Sequence, residues 1–209
     1  MAHIDERSRF LEVVSHESFA GSGSVWLGRS SWDKESLALS LFIEPRKGEP
    51  HQRWKVRVRH AVEERLSGEW GNHVYVGGEH PGLIPWVEEE VEVYFARNRL
   101  SAPAILGIAA AACATTLQDF YPVSRFLNGG LGLLSGECGG YGLLGRFPRS
   151  VASAIVDAIP SDSLSVRVLN PRLPKYQDGN EHKPYPSTLE IFTFGKTYVI
   201  GDGLTFEAD

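Results

Sequence analysis

Hydrophobic and polar residues alternate most cleanly in two stretches of the first hundred positions. Trp54, Val56, Val58 and Val62 share one face of residues 53–62, with His60 between them, and Arg53, Lys55, Arg57 and Arg59 share the other. Over residues 87–96, Val87, Val91, Val93 and Phe95 line one face, interrupted by Glu89, while Glu88, Glu90, Glu92 and Tyr94 line the other. A period of two with one apolar side predicts half-buried strands of an antiparallel sheet. Opposite charges on neighbouring strands attract. The basic and acidic stripes are therefore expected side by side as a solvated ladder, each pair contributing about 0.2–1 kcal/mol. Leu37, Leu39, Leu41 and Ile43 predict a further strand over 37–43, and residues 73–76 a short one before the Gly77-Gly78 turn.

The pattern changes at Ser101-Ala102-Pro103, where serine suits a helix N-cap and proline the first turn. A helix is predicted over 103–120, apolar nearly all round and hence buried. Val151, Ala154, Ile155, Ala158 and Ile159 fit helical spacing and predict a second helix over 148–159, bounded by prolines. Strands follow at 164–169, 188–194 and 197–200, the last two joined by a Gly195-Lys196 hairpin turn. Residues 170–187 hold four of the twelve prolines and read as a long polar excursion, functional or mobile. Gly21-Ser22-Gly23-Ser24 reads as a flexible connector.

Strands in consecutive blocks argue against a doubly wound parallel sheet. The fold expected is α+β: an antiparallel sheet of about six or more strands packed with two main helices. A single domain over 1–209 is expected, with a β-rich half at 1–100 and a mixed half at 101–209.

Composition excludes several classes. With 209 residues, 42% hydrophobic and 22% charged, the chain is an ordinary globular one, and its net charge of −5 is evenly spread. Nothing favours nucleic acid, and mild acidity favours a basic protein partner if anything. Cys113 and Cys138 are the only cysteines and form no disulfide framework. Residues 1–10 do not have the pattern of a signal peptide. The longest apolar run, Ala102–Ala114, is short of the roughly 20 residues a membrane helix needs. A cytoplasmic protein without membrane insertion is expected.

Three features invite a chemical reading. Residues 129–145 carry 8 of the 22 glycines, and Gly140-Tyr141-Gly142-Leu143-Leu144-Gly145 matches G-x-G-x-x-G literally. A dinucleotide site needs a strand before that motif and a helix directly after it. Here more glycine precedes it, and the predicted helix begins late, at Pro148. Tyr141, Arg146 and Arg149 are the binding candidates of this region. Cys138, in a loop context, is a candidate nucleophile if a base such as His80 reaches it. His73, Glu79 and His80 make a metal site conceivable, but no metal-ligand motif is present, and no metal or cofactor is expected. All five tryptophans, at 26, 32, 54, 70 and 86, fall in the first 86 residues, as sheet core or as a recognition surface.

No catalytic constellation is recognisable, which points away from an enzyme. The function expected is non-enzymatic protein binding, of an accessory or immunity-like kind. The alternative is an enzyme or nucleotide-binding protein using residues 129–149, with Cys138 as nucleophile.

Overall fold

The computed structural model describes residues 5–33, 36–96, 100–128, 141–160, 164–178 and 180–209. The candidate nucleophile Cys138 lies outside the described residues. The chain divides into two compact units, Met1–His80 with Pro186–Asp209, and Pro81–Tyr185. The second unit is thus inserted in sequence between strands of the first.

The first unit is a six-stranded antiparallel sheet. Its strands are β1 (Ser24–Asp33), β2 (Ser36–Glu44), β3 (Gln52–Arg65), β4 (Val74–Gly77) and, from the far end of the chain, β10 (Leu189–Phe194) and β11 (Thr197–Ala208). Their order is β1-β2-β3-β11-β10-β4. Every second residue of β2 is buried, as its alternation requires: Leu37, Leu39, Leu41 and Ile43. Trp54, Val56 and Val58 join them from β3, and Phe192, Phe194, Val199, Leu204 and Phe206 from β10 and β11. Gly195 turns the β10–β11 hairpin at φ +51°.

Helices α1 (Glu6–Ser15) and α2 (Glu17–Ser22) complete this core with Phe10, Val14 and Phe19. The Asp5 carboxylate caps α1 by accepting from the Ser8 amide at 2.9 Å. The Phe10 ring lies 4.6 Å from that of Phe206 and 5.2 Å from that of Trp54. The expected flexible connector is corrected here: Ser22 ends α2, and Gly23 is its buried C-cap, packed so tightly on Phe19 that no Cβ would fit.

The second unit is built on a three-stranded antiparallel sheet in the order β6-β5-β7. Its strands are β5 (Glu90–Ala96), β6 (Tyr141–Pro148) and β7 (Ser165–Arg172). Among the described residues, three α-helices accompany it: α3 (Ile84–Val87), α4 (Ala102–Leu117) and α5 (Arg149–Ala158). Val91, Val93 and Phe95 pack with Leu144 and Phe147, with Ile105, Ala109, Cys113 and Leu117 of α4, and with Val151 and Ile155 of α5. Ser101 caps α4 as its sequence predicts. The expectation that α4 is buried all round is corrected: Ala104, Gly107, Ala110 and Ala111 face solvent. These side chains are too small to demand cover. The polar excursion contains a two-stranded hairpin, β8 (Lys175–Asp178) and β9 (Glu181–Pro184).

The α+β class, the six-stranded antiparallel sheet and the two main helices are all present, the helices packing with the smaller sheet. The ladder of opposite charges is not. Residues 53–59 sit in β3 and Glu90 and Glu92 in β5, strands of different sheets in different units. Alternation reveals which side chains face water, not which strand is the neighbour. Lys55 stands instead opposite Ser40 on one side and Glu207 on the other, and Arg57 reaches Glu207 at 3.9 Å. Among the described residues, no helix is long and apolar enough to cross a membrane.

Candidate functional site: an arginine-lined cleft in the second unit

An open cleft of about 1150 Å³ lies within the second unit. Its walls come from α3, the 125–128 segment, β6 and the stretch from Pro171 to Lys175. That volume exceeds the roughly 300–1,000 Å³ common for small-molecule sites.

Two of the lining arginines, Arg146 and Arg172, are held by Glu92, which does not itself line the cleft. Glu92 is 6% exposed, although its position on β5 alternates with the core residues Val91 and Val93. Its Oε2 accepts from Asn170 Nδ2 at 2.6 Å and from the Tyr94 hydroxyl at 3.0 Å. Its Oε1 faces Arg146 Nη2 at 3.2 Å and Nε at 3.3 Å, and Arg172 Nη2 at 3.9 Å. The Asn170 and Tyr94 hydrogen bonds, aided by Arg146, hold the carboxyl below its ordinary range against the opposing effect of burial. The hydrogen bond to Glu92, then burial, push the Tyr94 hydroxyl up. A β-bulge makes this geometry. Between Glu90 and Glu92 the β7 partners jump from Arg172 to Leu169, with Asn170 at φ +53°.

The rim is aromatic and cationic. The Arg125 guanidinium lies 4.3 Å from the Tyr121 ring centre and 5.4 Å from that of Trp86. Trp86 meets the Tyr185 ring edge-on at 5.1 Å and donates its indole N–H to the Tyr121 hydroxyl at 3.3 Å. Tyr121 in turn donates to the Gly82 carbonyl at 2.9 Å. Lys175 also lines the cleft and has no ion-pair partner among the described residues.

Three carboxylates line the cleft; Glu90 is exposed, and the other two hold partners. Glu88 Oε2 accepts from the Ser150 amide at 2.9 Å, in the first turn of α5, and Glu89 pairs with Arg149. These contacts bear on the glycine motif. A phosphate cradle uses free amides at a helix N-terminus, and here Glu88 stands at one of them. Gly142 and Gly145 lie in the β5–β6 ladder opposite Phe95 and Val93. Gly145 also bridges to Leu127, where a Cβ would stand 2.9 Å from Phe147 Cε2 and 3.0 Å from Leu127 Cα. Close packing accounts for that glycine.

Of the residues singled out from sequence, Arg146 lines the cleft and Arg149 is paired beside it. Tyr141 is 75% exposed at the start of β6 and does not line it. His80 belongs to the first unit, half-buried with its ring 5.0 Å from that of Tyr75, and burial pushes its pKa down. The buried thiol of Cys113 is pushed up to about 11. Among the described residues, no group of three His, Cys, Asp or Glu side chains is placed to hold a metal.

Sequence reasoning missed Glu92, Arg172, Arg125 and Tyr185. Asn170-Pro171 was the available signal, since an asparagine followed by proline suits a break in strand register. Comparison with protein-family models, with curated proteins and with solved structures finds no match.

Proposed function

We propose that this protein is a non-catalytic binding protein that holds a segment of another protein in the cleft of its second unit. The observation that carries the reading is the state of the charged groups around that cleft. Glu92, Glu88 and Glu89 are each committed to a hydrogen bond or ion pair within the fold. Beside the exposed Glu90, the surface left for a ligand includes the guanidinium groups of Arg146 and Arg172 and the Trp86 ring, and Arg and Trp are enriched at protein-binding hot spots. A general acid or base works best with a pKa near the operating pH, whereas Glu92 and Tyr94 are displaced away from neutrality.

The test is capture on immobilised wild-type protein, compared with Trp86→Ala and with Trp32→Ala on the first unit. A protein retained by wild type and Trp32→Ala and released by Trp86→Ala supports the reading. No retained protein, or equal retention by all three, refutes it.

A further inference from the structure

The way Glu92 holds two arginines has a consequence for what the cleft accepts. Arg146 and Arg172 converge on the carboxylate of Glu92, which does not itself line the cleft, and Glu90 of the lining is the cross-strand partner of Arg172. A guanidinium carries five N–H donors. Arg146 directs Nε and Nη2 to Glu92, and Arg172 approaches it only at 3.9 Å. Neither arginine has another side-chain partner among the described residues, and their side chains remain 53% and 62% exposed. Both line the cleft. Glu92 cannot itself turn toward a ligand, because Asn170 and Tyr94 fix its other oxygen.

We propose that Arg146 and Arg172 form a seat for one carboxylate of an acidic segment of the partner protein, with Glu92 as the positioning residue that pre-sets both guanidinium groups. The inference rests on the cleft being the protein-binding site and adds the chemistry of the partner. Arginine pairs with carboxylate through charge-assisted hydrogen bonds in fixed fork geometry. Holding the forks in place before binding removes part of the ordering cost. Lys175 on the same wall adds a cation for a neighbouring acidic residue of the segment. Net charge alone favours a basic partner; the seat proposed here takes an acidic residue through two local guanidinium groups, in a lining that also carries Glu88, Glu89 and Glu90.

The test uses the full chain and a fluorescein-labelled hexaglutamate peptide followed by anisotropy. Hexaglutamine serves as the neutral peptide and inorganic phosphate as competitor. Wild type and Arg29→Gln, which removes one exposed charge from the first unit, are expected to bind hexaglutamate alike. Arg146→Gln and Arg172→Gln are each expected to bind about tenfold more weakly or worse, the scale of a charged hydrogen bond lost. Both variants should fold, since both side chains are more than half exposed. Binding should also weaken as salt rises.

Equal affinity for the two peptides, equal loss in Arg29→Gln, or no binding at millimolar peptide overturns the seat. Displacement by phosphate at concentrations where free glutamate has no effect overturns the assignment to a carboxylate. A captured partner that Trp86→Ala releases and Arg146→Gln and Arg172→Gln both retain would remove the seat while leaving the cleft as the binding site.

Discussion

Replacing Gly145 by alanine tests whether packing, and not a ligand, requires the glycine. The backbone there has no left-handed φ, so only space is at issue. The added Cβ would overlap the Phe126 carbonyl oxygen and stand 2.9 Å from Phe147 Cε2 and 3.0 Å from Leu127 Cα. Relief requires the 126–128 segment to move off β6. That strains the Arg146 N–H to Phe126 carbonyl bond of 2.8 Å and the Asn128 N–H to Leu144 carbonyl bond of 2.9 Å. Each such bond contributes about 0.5–1.5 kcal/mol net, and overpacking costs about 1–3 kcal/mol. Alanine recovers about 0.4–1 kcal/mol through the unfolded chain. The balance is a loss of about 2–4 kcal/mol, or roughly 10–20 °C in the melting of a unit near a hundred residues. Gly142→Ala on the same strand is the matched comparison. Its Cβ would meet only the Phe95 ring at 3.3 Å, which a small ring movement relieves, so a change within about 1 kcal/mol is expected. Calorimetry of both variants decides. If Gly145→Ala melts with the wild type, or the two variants fall equally, the packing account of this glycine is wrong.

Phe10→Ala removes a ring that is 0% exposed against Trp54, Phe192 and Phe206, and should cost about 3–5 kcal/mol in urea unfolding of the first unit; a loss below about 1 kcal/mol would mean α1 is not part of that core. Glu92 has a folded pKa below its ordinary 4.5, so its contribution is fully present above that value and is lost as pH falls through the lower, folded one. The stability advantage of wild type over Glu92→Gln should therefore shrink on acidification across that window, and an advantage constant with pH contradicts the geometry. Cys113, 2% exposed and with its thiol pushed up to about 11, should resist iodoacetamide at about pH 8 in native protein and react after denaturation, as read by peptide mass spectrometry; rapid native labelling would refute its burial.

Local patterning determined much of this protein. The period-two runs at 37–43 and 53–62 became β2 and β3, and helical spacing with a serine cap and flanking prolines became α4 and α5. Those features are legible because each depends on a few adjacent residues and on one choice, water or core. Partnership between distant segments left no such mark. β11 closes on β3 although Lys55 and Glu207 are 152 positions apart, and the second unit lies in sequence between β4 and β10. Arg53 to Arg59 and Glu88 to Glu92 are equally periodic whether they meet or not, so nothing in the pattern opposed pairing them. The cleft shows the same division. Arg146 could be singled out from its neighbours in sequence, whereas the burial of Glu92 depends on Asn170, 78 positions away, arriving in a bulge. Side-chain period is a local property and was readable from the chain. Which strand lies beside which, and therefore which charges meet, is set by the packing of whole sheets and was decided only in the folded structure.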